Sequence, residues 1–447
     1  MSRVLGRAAA VFLFACGVAF VAAPAGALTS TPDDPGFGLQ WNLQMIGAPT
    51  AWRTATGAGT TIAIVDSGVD IAHEDLGGDR IVGHVTCLGT GGDAGKCVDG
   101  GADDDGHGTH VAGIAAATAD NGRGIAGVAP DARLLDVKVL ARSCSGSSCT
   151  ASGSADDVIA GIYYAVAHGA DVINLSVGST VQSVLGPAFG KAIEYAWSKG
   201  VISVVAAGNN ALLPSGFANE PAIVVGALNR AGQKASYSDN IGFAMWALMA
   251  PGGEADDGSS CKTAPQGVLS TYFDPNAQPP RHDAYACIDG TSMAAPHVAG
   301  AAALLRSTGL TPAQTVDRLL ATAHPMGSPT VTGAGALDVA AAVGAPPTAD
   351  VTAQGGGPTG APASGDAPTT ATTAPTPSSD PDAPTSTRPA QIALPAPGRT
   401  VTAHDRNAND LPTGLVGIAA LSVAAVGCAS GWQLMRNAGW AKRTPRR

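Results

Sequence analysis

The feature that most restricts this chain is a rhythm running from about Ala48 to Ala342, in which short apolar runs alternate with longer amphipathic ones. Thr61-Ile-Ala-Ile-Val65, Leu134-Leu-Asp-Val-Lys-Val139, Val172-Ile-Asn-Leu175, Val201-Ile-Ser-Val-Val205 and Ile223-Val-Val225 are rich in β-branched residues. Each is bounded by glycine or polar residues, as buried strands are. Between them, Asp156 to His168 and Val184 to Lys199 carry apolar residues at helical spacing. Alternation of this kind predicts an α/β fold, a mainly parallel β-sheet with helices on both faces. Ligands of such sheets gather at the carboxyl ends of the strands, so functional residues are expected directly after the apolar runs.

Composition narrows the function. Only 13% of the residues are charged and 4% aromatic, which suits helices packed on a sheet through small residues and not a coiled coil or a disordered binder. A net charge of -10 argues against nucleic acid as a partner, because phosphate binding needs a basic surface.

At 447 residues the chain exceeds one ordinary domain, and its ends read differently from its middle. Arg3 and Arg7, the uncharged run Ala8 to Ala23 and the small residues Ala25-Gly26-Ala27 form an export signal over 1–27. Residues 28–345 then make the folded domain. Residues 346–411 are mostly Pro, Thr, Ala, Ser and Gly, a linker without the apolar side chains needed to offset ordering. Within residues 412–435, Leu415 to Leu434 is uncharged and long enough, at about 30 Å, for a transmembrane helix. Arg436, Lys442, Arg443, Arg446 and Arg447 follow in the tail 436–447. Basic residues are retained inside, so the expected protein is single-pass in the cell membrane, with its folded domain extracytoplasmic and its tail cytoplasmic.

Six cysteines remain between these ends: Cys87, Cys97, Cys144, Cys149, Cys261 and Cys287. An even number in an exported domain reads as disulfides, with fifteen connectivities open. Proximity favours Cys87–Cys97, Cys144–Cys149 and Cys261–Cys287. Zinc is the poorer reading, since no Cys-x-x-Cys occurs and no histidine stands at finger spacing.

Three motifs follow apolar runs in the order Asp, His, Ser. In Ile62-Ala-Ile-Val-Asp66 a strand ends on a carboxylate, as suits a group to be held rigidly. In Asp105-Gly-His107-Gly-Thr-His110-Val-Ala-Gly113, glycines flank a histidine at a helix start, where the neutral form required of a general base is favoured. His110 is its competitor. In Gly290-Thr-Ser292-Met-Ala-Ala-Pro-His297, a serine opens an Ala-rich helix whose N–H groups favour developing negative charge. An isolated serine there would be a plain N-cap. Val204-Val-Ala-Ala-Gly208-Asn209 adds a side-chain amide after a strand.

With Gln40-Trp-Asn-Leu43 and Ala48-Pro-Thr-Ala-Trp52, these motifs resemble the subtilisin-like serine peptidases over roughly Asp33 to Val343. The chain order of the three residues is that of subtilisin itself. The resemblance implies an endopeptidase acting on protein or peptide substrates, in which Asp66 orients His107 and His107 takes the proton of Ser292. Asn209 and the Ser292 N–H would form the oxyanion hole. Ser176, Val177 and Gly178, with Ala206, Ala207 and Gly208, would form the two uncharged edges of a substrate-binding pocket. No cofactor is implied for catalysis, and a structural calcium is implied at Asp34 and Asp120, since hard oxygen ligands suit that ion. The signal ends close to the start of the peptidase pattern, leaving no room for a folding pro-domain. That layout, with linker and span, resembles the mycosins, membrane-anchored proteases of actinobacterial type VII secretion. A secretion-system membrane complex is then an expected partner, and a scaffold in which cleavage is secondary is the alternative reading.

Overall fold

The computed structural model of the chain describes residues 31–344 apart from 146–147, 178–179, 212–216, 255–260 and 262–264. The expected signal (1–27), linker (346–411), span (412–435) and basic tail (436–447) lie outside the described residues. Among the described residues no helix is long and apolar enough to cross a membrane.

The strands are β1 (Thr61–Asp66), β2 (Ile81–Thr86), β3 (Val98–Asp99), β4 (Arg133–Lys138), β5 (Ala141–Ser145), β6 (Ser148–Ser152), β7 (Val172–Leu175), β8 (Ile202–Ala206), β9 (Ala222–Leu228), β10 (Trp246–Pro251), β11 (Val268–Asp274) and β12 (Arg281–Ile288). The helices are α1 (Trp41–Met45), α2 (Ala48–Ala51), α3 (His107–Ala116), α4 (Ala155–Ala167), α5 (Thr180–Ser198), α6 (Thr291–Ser307), α7 (Pro312–Thr322), α8 (Pro329–Thr332) and α9 (Val339–Ala342). Eight strands form one sheet in the order β10-β9-β8-β7-β1-β4-β2-β3, parallel throughout except for the short edge strand β3. β5–β6 and β11–β12 are separate antiparallel hairpins.

All six residues of β1 are buried, because both faces of the sheet are covered. Side chains alternate between faces. Ile62 and Ile64 join one apolar cluster with α3 and α6, while Ala63 and Val65 join another with α4 and α5. Each fully buried isoleucine contributes about 1.5–3 kcal/mol relative to exposure. The helices approach closely where they carry no side chain: a Cβ on Gly300 of α6 would stand 3.0 Å from the Ala115 carbonyl of α3.

All five expected strands are present. The sheet also includes β2 and β10, whose sequences carry weaker strand signals. Gly83 and His84 interrupt the apolar run of β2, and β10 is built on Ala, Met and Leu with no β-branched residue. The second expected helix begins earlier, at Thr180, and breaks at Gly186, whose φ of +57° precedes Pro187. The strand order places β4 on one side of β1 and β7 on the other, which opens a crevice beyond their carboxyl ends. The candidate residues meet there.

Candidate active site

Asp66 is the last residue of β1 and is fully buried. Its Oδ1 accepts two hydrogen bonds of 2.7 Å, from His107 Nδ1 and from the Ser67 backbone N–H. That bond fixes the imidazole tautomer, with Nδ1 protonated toward the carboxylate and Nε2 left as the base. His107 is the first residue of α3 and only 7% exposed. Burial pulls its imidazole toward the neutral form. Asp66, by charge and hydrogen bond, then Asp105 and Asp103, push the other way, and the balance is raised above the ordinary histidine value.

His110 does not compete. Its Nε2 faces the carbonyls of Val268 and Ala286 at 3.1 and 3.0 Å, bridging the two strands of the β11–β12 hairpin. Burial pushes its pKa down to about 3, so it stays a neutral staple.

Ser292 stands second in α6, partly buried. Its hydroxyl donates to the Ser176 carbonyl at 3.3 Å, and Ser176 Oγ donates back to the Ser292 carbonyl at 2.7 Å. Ser176 Oγ also accepts from Asn174 Nδ2 of β7 at 2.9 Å. The sequence assigned Ser176 to a pocket edge, and the geometry adds that it ties the end of β7 to the start of α6. Val177, Ala206 and Ala207 are buried beside these strand ends. Gly178, named with them, lies outside the described residues.

Asn209 follows β8. Its Oδ1 accepts from the Thr291 N–H at 3.0 Å and from Thr291 Oγ1 at 2.9 Å, which commits the oxygen and leaves Nδ2 as the free donor end of the amide. Thr291 Oγ1 in turn accepts from the Gly208 N–H at 3.0 Å. Sequence reasoning missed Thr291 in this role, although it stands directly before Ser292. At the carboxyl ends of the strands the structure supplies a carboxylate-bound imidazole on α3 and, at the start of α6, a hydroxyl beside an oriented amide, the parts that acyl transfer requires.

Among the described residues three disulfides form, and they are the local ones: Cys87–Cys97, Cys144–Cys149 and Cys261–Cys287. Cys144 and Cys149 face each other across the β5–β6 hairpin.

Asp34 and Asp120, the expected calcium ligands, come together with Asp33, their carboxylate oxygens within 4.8 Å of one another. Backbone N–H groups of Asp120 and Asn121 donate to Asp34, and Gly122 N–H donates to Asp33. Nearby, Asp75 is fully buried and accepts from Asn121 Nδ2 at 2.8 Å, from Ile125 N–H and from Tyr285. Burial first, opposed by hydrogen bonds and reinforced by neighbouring carboxylates, pushes Asp34 up to about 6 and Asp75 up to about 7. Such oxygen-rich, partly uncompensated negative charge fits a hard divalent cation. Asn121 stands beside Asp120 in the sequence, whereas Asp75 carried no local signal.

Comparison with known proteins gives consistent matches. A model described as the subtilase family matches residues 57–376. Thermitase of Thermoactinomyces vulgaris is 40% identical over 286 residues, covering 62% of this chain and 86% of thermitase. Subtilisin DY of Bacillus licheniformis is 36% identical over 296 residues, covering 64% of this chain and 91% of that protein. Among solved structures, proteases from Pseudoalteromonas arctica are similar with a TM-score of 0.60 and 33% identity, over 70% of this chain and 98% of theirs.

Proposed function

We propose, from the premise that this chain belongs to the subtilase family and is a serine endopeptidase, that it cleaves peptide bonds through an acyl-enzyme on Ser292. The observation that carries this reading is the 2.7 Å bond from His107 Nδ1 to Asp66 Oδ1, beside a helix whose second residue is Ser292. For attack, the Ser292 hydroxyl turns from the Ser176 carbonyl to His107 Nε2. Its oxygen bonds to the carbonyl carbon, its proton passes to Nε2, and the carbonyl π electrons move to oxygen. Asn209 Nδ2 and the Ser292 N–H receive that oxyanion. Collapse breaks the C–N bond, the proton on Nε2 goes to the leaving amine, and water removes the acyl group through the same base. Thr291 keeps the amide pointed; Ser176 and Asn174 keep α6 in register with β7.

The protein works outside the cytoplasm, tethered by its C-terminal segment, and resembles the mycosins in layout. This is supported by the export signal, the Pro-rich stretch and the uncharged run Leu415 to Leu434 followed by five basic residues. One experiment tests nucleophile and topology together, a membrane-impermeant fluorophosphonate probe applied to intact cells. Wild type should be labelled and sediment with membranes, whereas Ser292→Ala should be unlabelled and without measurable peptidase activity. Labelling of the alanine variant, or labelling only after lysis, overturns the assignment.

We also propose a structural calcium held by Asp34 and Asp75 with Asn121, Asp33 and Asp120 around them; it takes no part in the chemistry. Both buried carboxylates have raised pKa values, so without a cation stability falls as pH rises from about 4 toward 7 and they ionise in place. Calcium reverses that cost. Chelation should therefore lower Tm more at about pH 8 than at about pH 5. An unchanged Tm on chelation at the higher pH would refute the site.

A further inference from the structure

Behind His107 lies a carboxylate for which the reaction has no direct use. Asp103 is 4% exposed, and its side chain accepts five hydrogen bonds. Oδ1 takes the Ser67 hydroxyl at 2.9 Å and the backbone N–H groups of Asp105 and Gly106 at 3.0 and 2.9 Å. Oδ2 takes the Thr109 N–H at 3.0 Å and the Thr109 hydroxyl at 2.6 Å.

We propose that Asp103 is the positioning residue for His107, fastening the first turn of α3 to the end of β1 so that the imidazole meets Asp66 in register. The reason begins with the cap. A helix start leaves N–H groups without partners, and the N-cap side chain ordinarily accepts one. Here the N-cap is Gly106, at φ +100°, where a Cβ would stand 2.4 Å from the Phe273 carbonyl and from the Tyr272 ring. No other residue fits, so the position cannot carry a capping side chain. Asp103 supplies the cap from three residues upstream, and a negative charge there also suits the helix dipole.

The clamp closes through Ser67. Its hydroxyl donates to Asp103 and accepts from the Gly108 N–H at 2.9 Å, while its own N–H donates to the Asp66 oxygen that accepts His107. A second leg runs through Thr109, whose hydroxyl accepts from the Asp70 N–H at 2.9 Å. Residues 67–70 after β1 are thereby bonded to 103–109 on both sides of His107. The Lys138 ammonium, which donates to the Ser67 carbonyl and pairs with Asp104 at 2.8 Å, braces the same turn. A misplacement near 1 Å at a reacting group can cost about 10²-fold, so a clamp of this kind acts on turnover without touching substrate.

The inference rests on the proposed Asp66–His107–Ser292 reaction, and its test separates the two. Asp103→Asn keeps the shape but turns an amide donor toward backbone donors and removes a charge. Active-site titration with the fluorophosphonate gives the number of competent sites, so kcat can be expressed per site. Per-site kcat should fall about 10–100-fold with KM within about twofold. The acid limb of the pH profile should move to lower pH. The charged and titratable groups around the imidazole are Asp66 from β1, Asp105 and Asp103 from the preceding loop, and His110 from α3, with Arg142 acting on Asp105. Removing one of the carboxylates that holds His107 protonated lets it lose its proton sooner. A purely structural Asp103 would lower Tm and the titrated fraction but leave per-site kcat and the pH limb unchanged, and that result overturns the inference. If Asp103→Asn does not accumulate, Ser67→Ala removes one leg of the clamp and is read by per-site kcat against Tm and titrated fraction, with the pH limb in place because the carboxylate stays. An unchanged per-site kcat in that variant overturns the inference. Failure of wild type to label at Ser292 would instead remove the reaction itself, and the inference with it.

Discussion

Helices α3 and α6 both begin at a glycine in a backbone region that other residues avoid, with φ of +100° at Gly106 and +152° at Gly290. Neither glycine can supply a side-chain cap. The two starts are nevertheless finished in opposite ways. At α3 the N–H groups of Gly106, Gly108 and Thr109 are taken by Asp103 and Ser67. At α6 the Thr291 N–H goes to Asn209, and among the described residues nothing takes the Ser292 N–H. The helix that carries the base is fastened by side chains on three N–H groups around its start, because its residue must be held still. Among the described residues nothing takes the His107 N–H either. The helix that carries the nucleophile is left open at one N–H, because that donor is wanted by a charge that forms only during reaction. The same secondary-structure problem has therefore been solved once for rigidity and once for binding.

Three changes break or sharpen this contrast. The largest effect should come from removing the amide that completes the open site. Asn209→Ala is expected to lose about 10²–10³ in kcat, the range found on removing this kind of donor in a subtilisin, with KM nearly unchanged. If KM alone rises, Asn209 is a pocket residue and the open end of α6 is not an oxyanion site. Next comes the fastened end, where Asp103→Asn should cost about 10–100-fold per competent site. The smallest effect tests the link between Thr291 and the amide. Thr291→Val removes the hydroxyl from Asn209 Oδ1 and from the Gly208 N–H but keeps the backbone N–H bond to the amide. The amide then loses one net hydrogen bond of about 1 kcal/mol, and kcat should fall about fivefold. A loss as large as that of Asn209→Ala would mean that the backbone bond does not hold the amide in place.

Much of this was legible in the chain. The parallel sheet followed from five β-branched runs, and Asp66, Asn209, His107 and Ser292 stood where such a sheet presents ligands, after strands or at helix starts. The geometry joins His107 to Asp66, and Asn209 to Thr291 beside Ser292. What could not be read is the set of residues acting at a distance. Asp103 meets Ser67 across 36 positions, Asp75 meets Asn121 across 46, and Thr291 meets Asn209 across 82. Local periodicity and motif spacing have no term for bonds of that reach. The motif already favoured His107 over His110, and the fold supplies the reason, since it brings the carbonyls of Val268 and Ala286 onto His110. The hairpins themselves were hidden because their strands mix Ser, Cys, Thr and Tyr with few aliphatic residues.

The three disulfides span only 10, 5 and 26 residues, and none joins one half of the sheet to the other. Their cross-linking therefore imposes no order on assembly. The central strands and helices can reach their native arrangement from a fully reduced chain, and each bridge can form afterwards from partners already close at hand. Mispairing has little opportunity under these conditions, because a cysteine finds its own neighbour long before it meets a distant one. Loop-closure entropy assigns such short bridges about 2–3.5 kcal/mol each, confined to the excursions they close. A reductant should then loosen those excursions one by one and leave the parallel sheet cooperative, so the molecule would fray at its edges well before it unfolds.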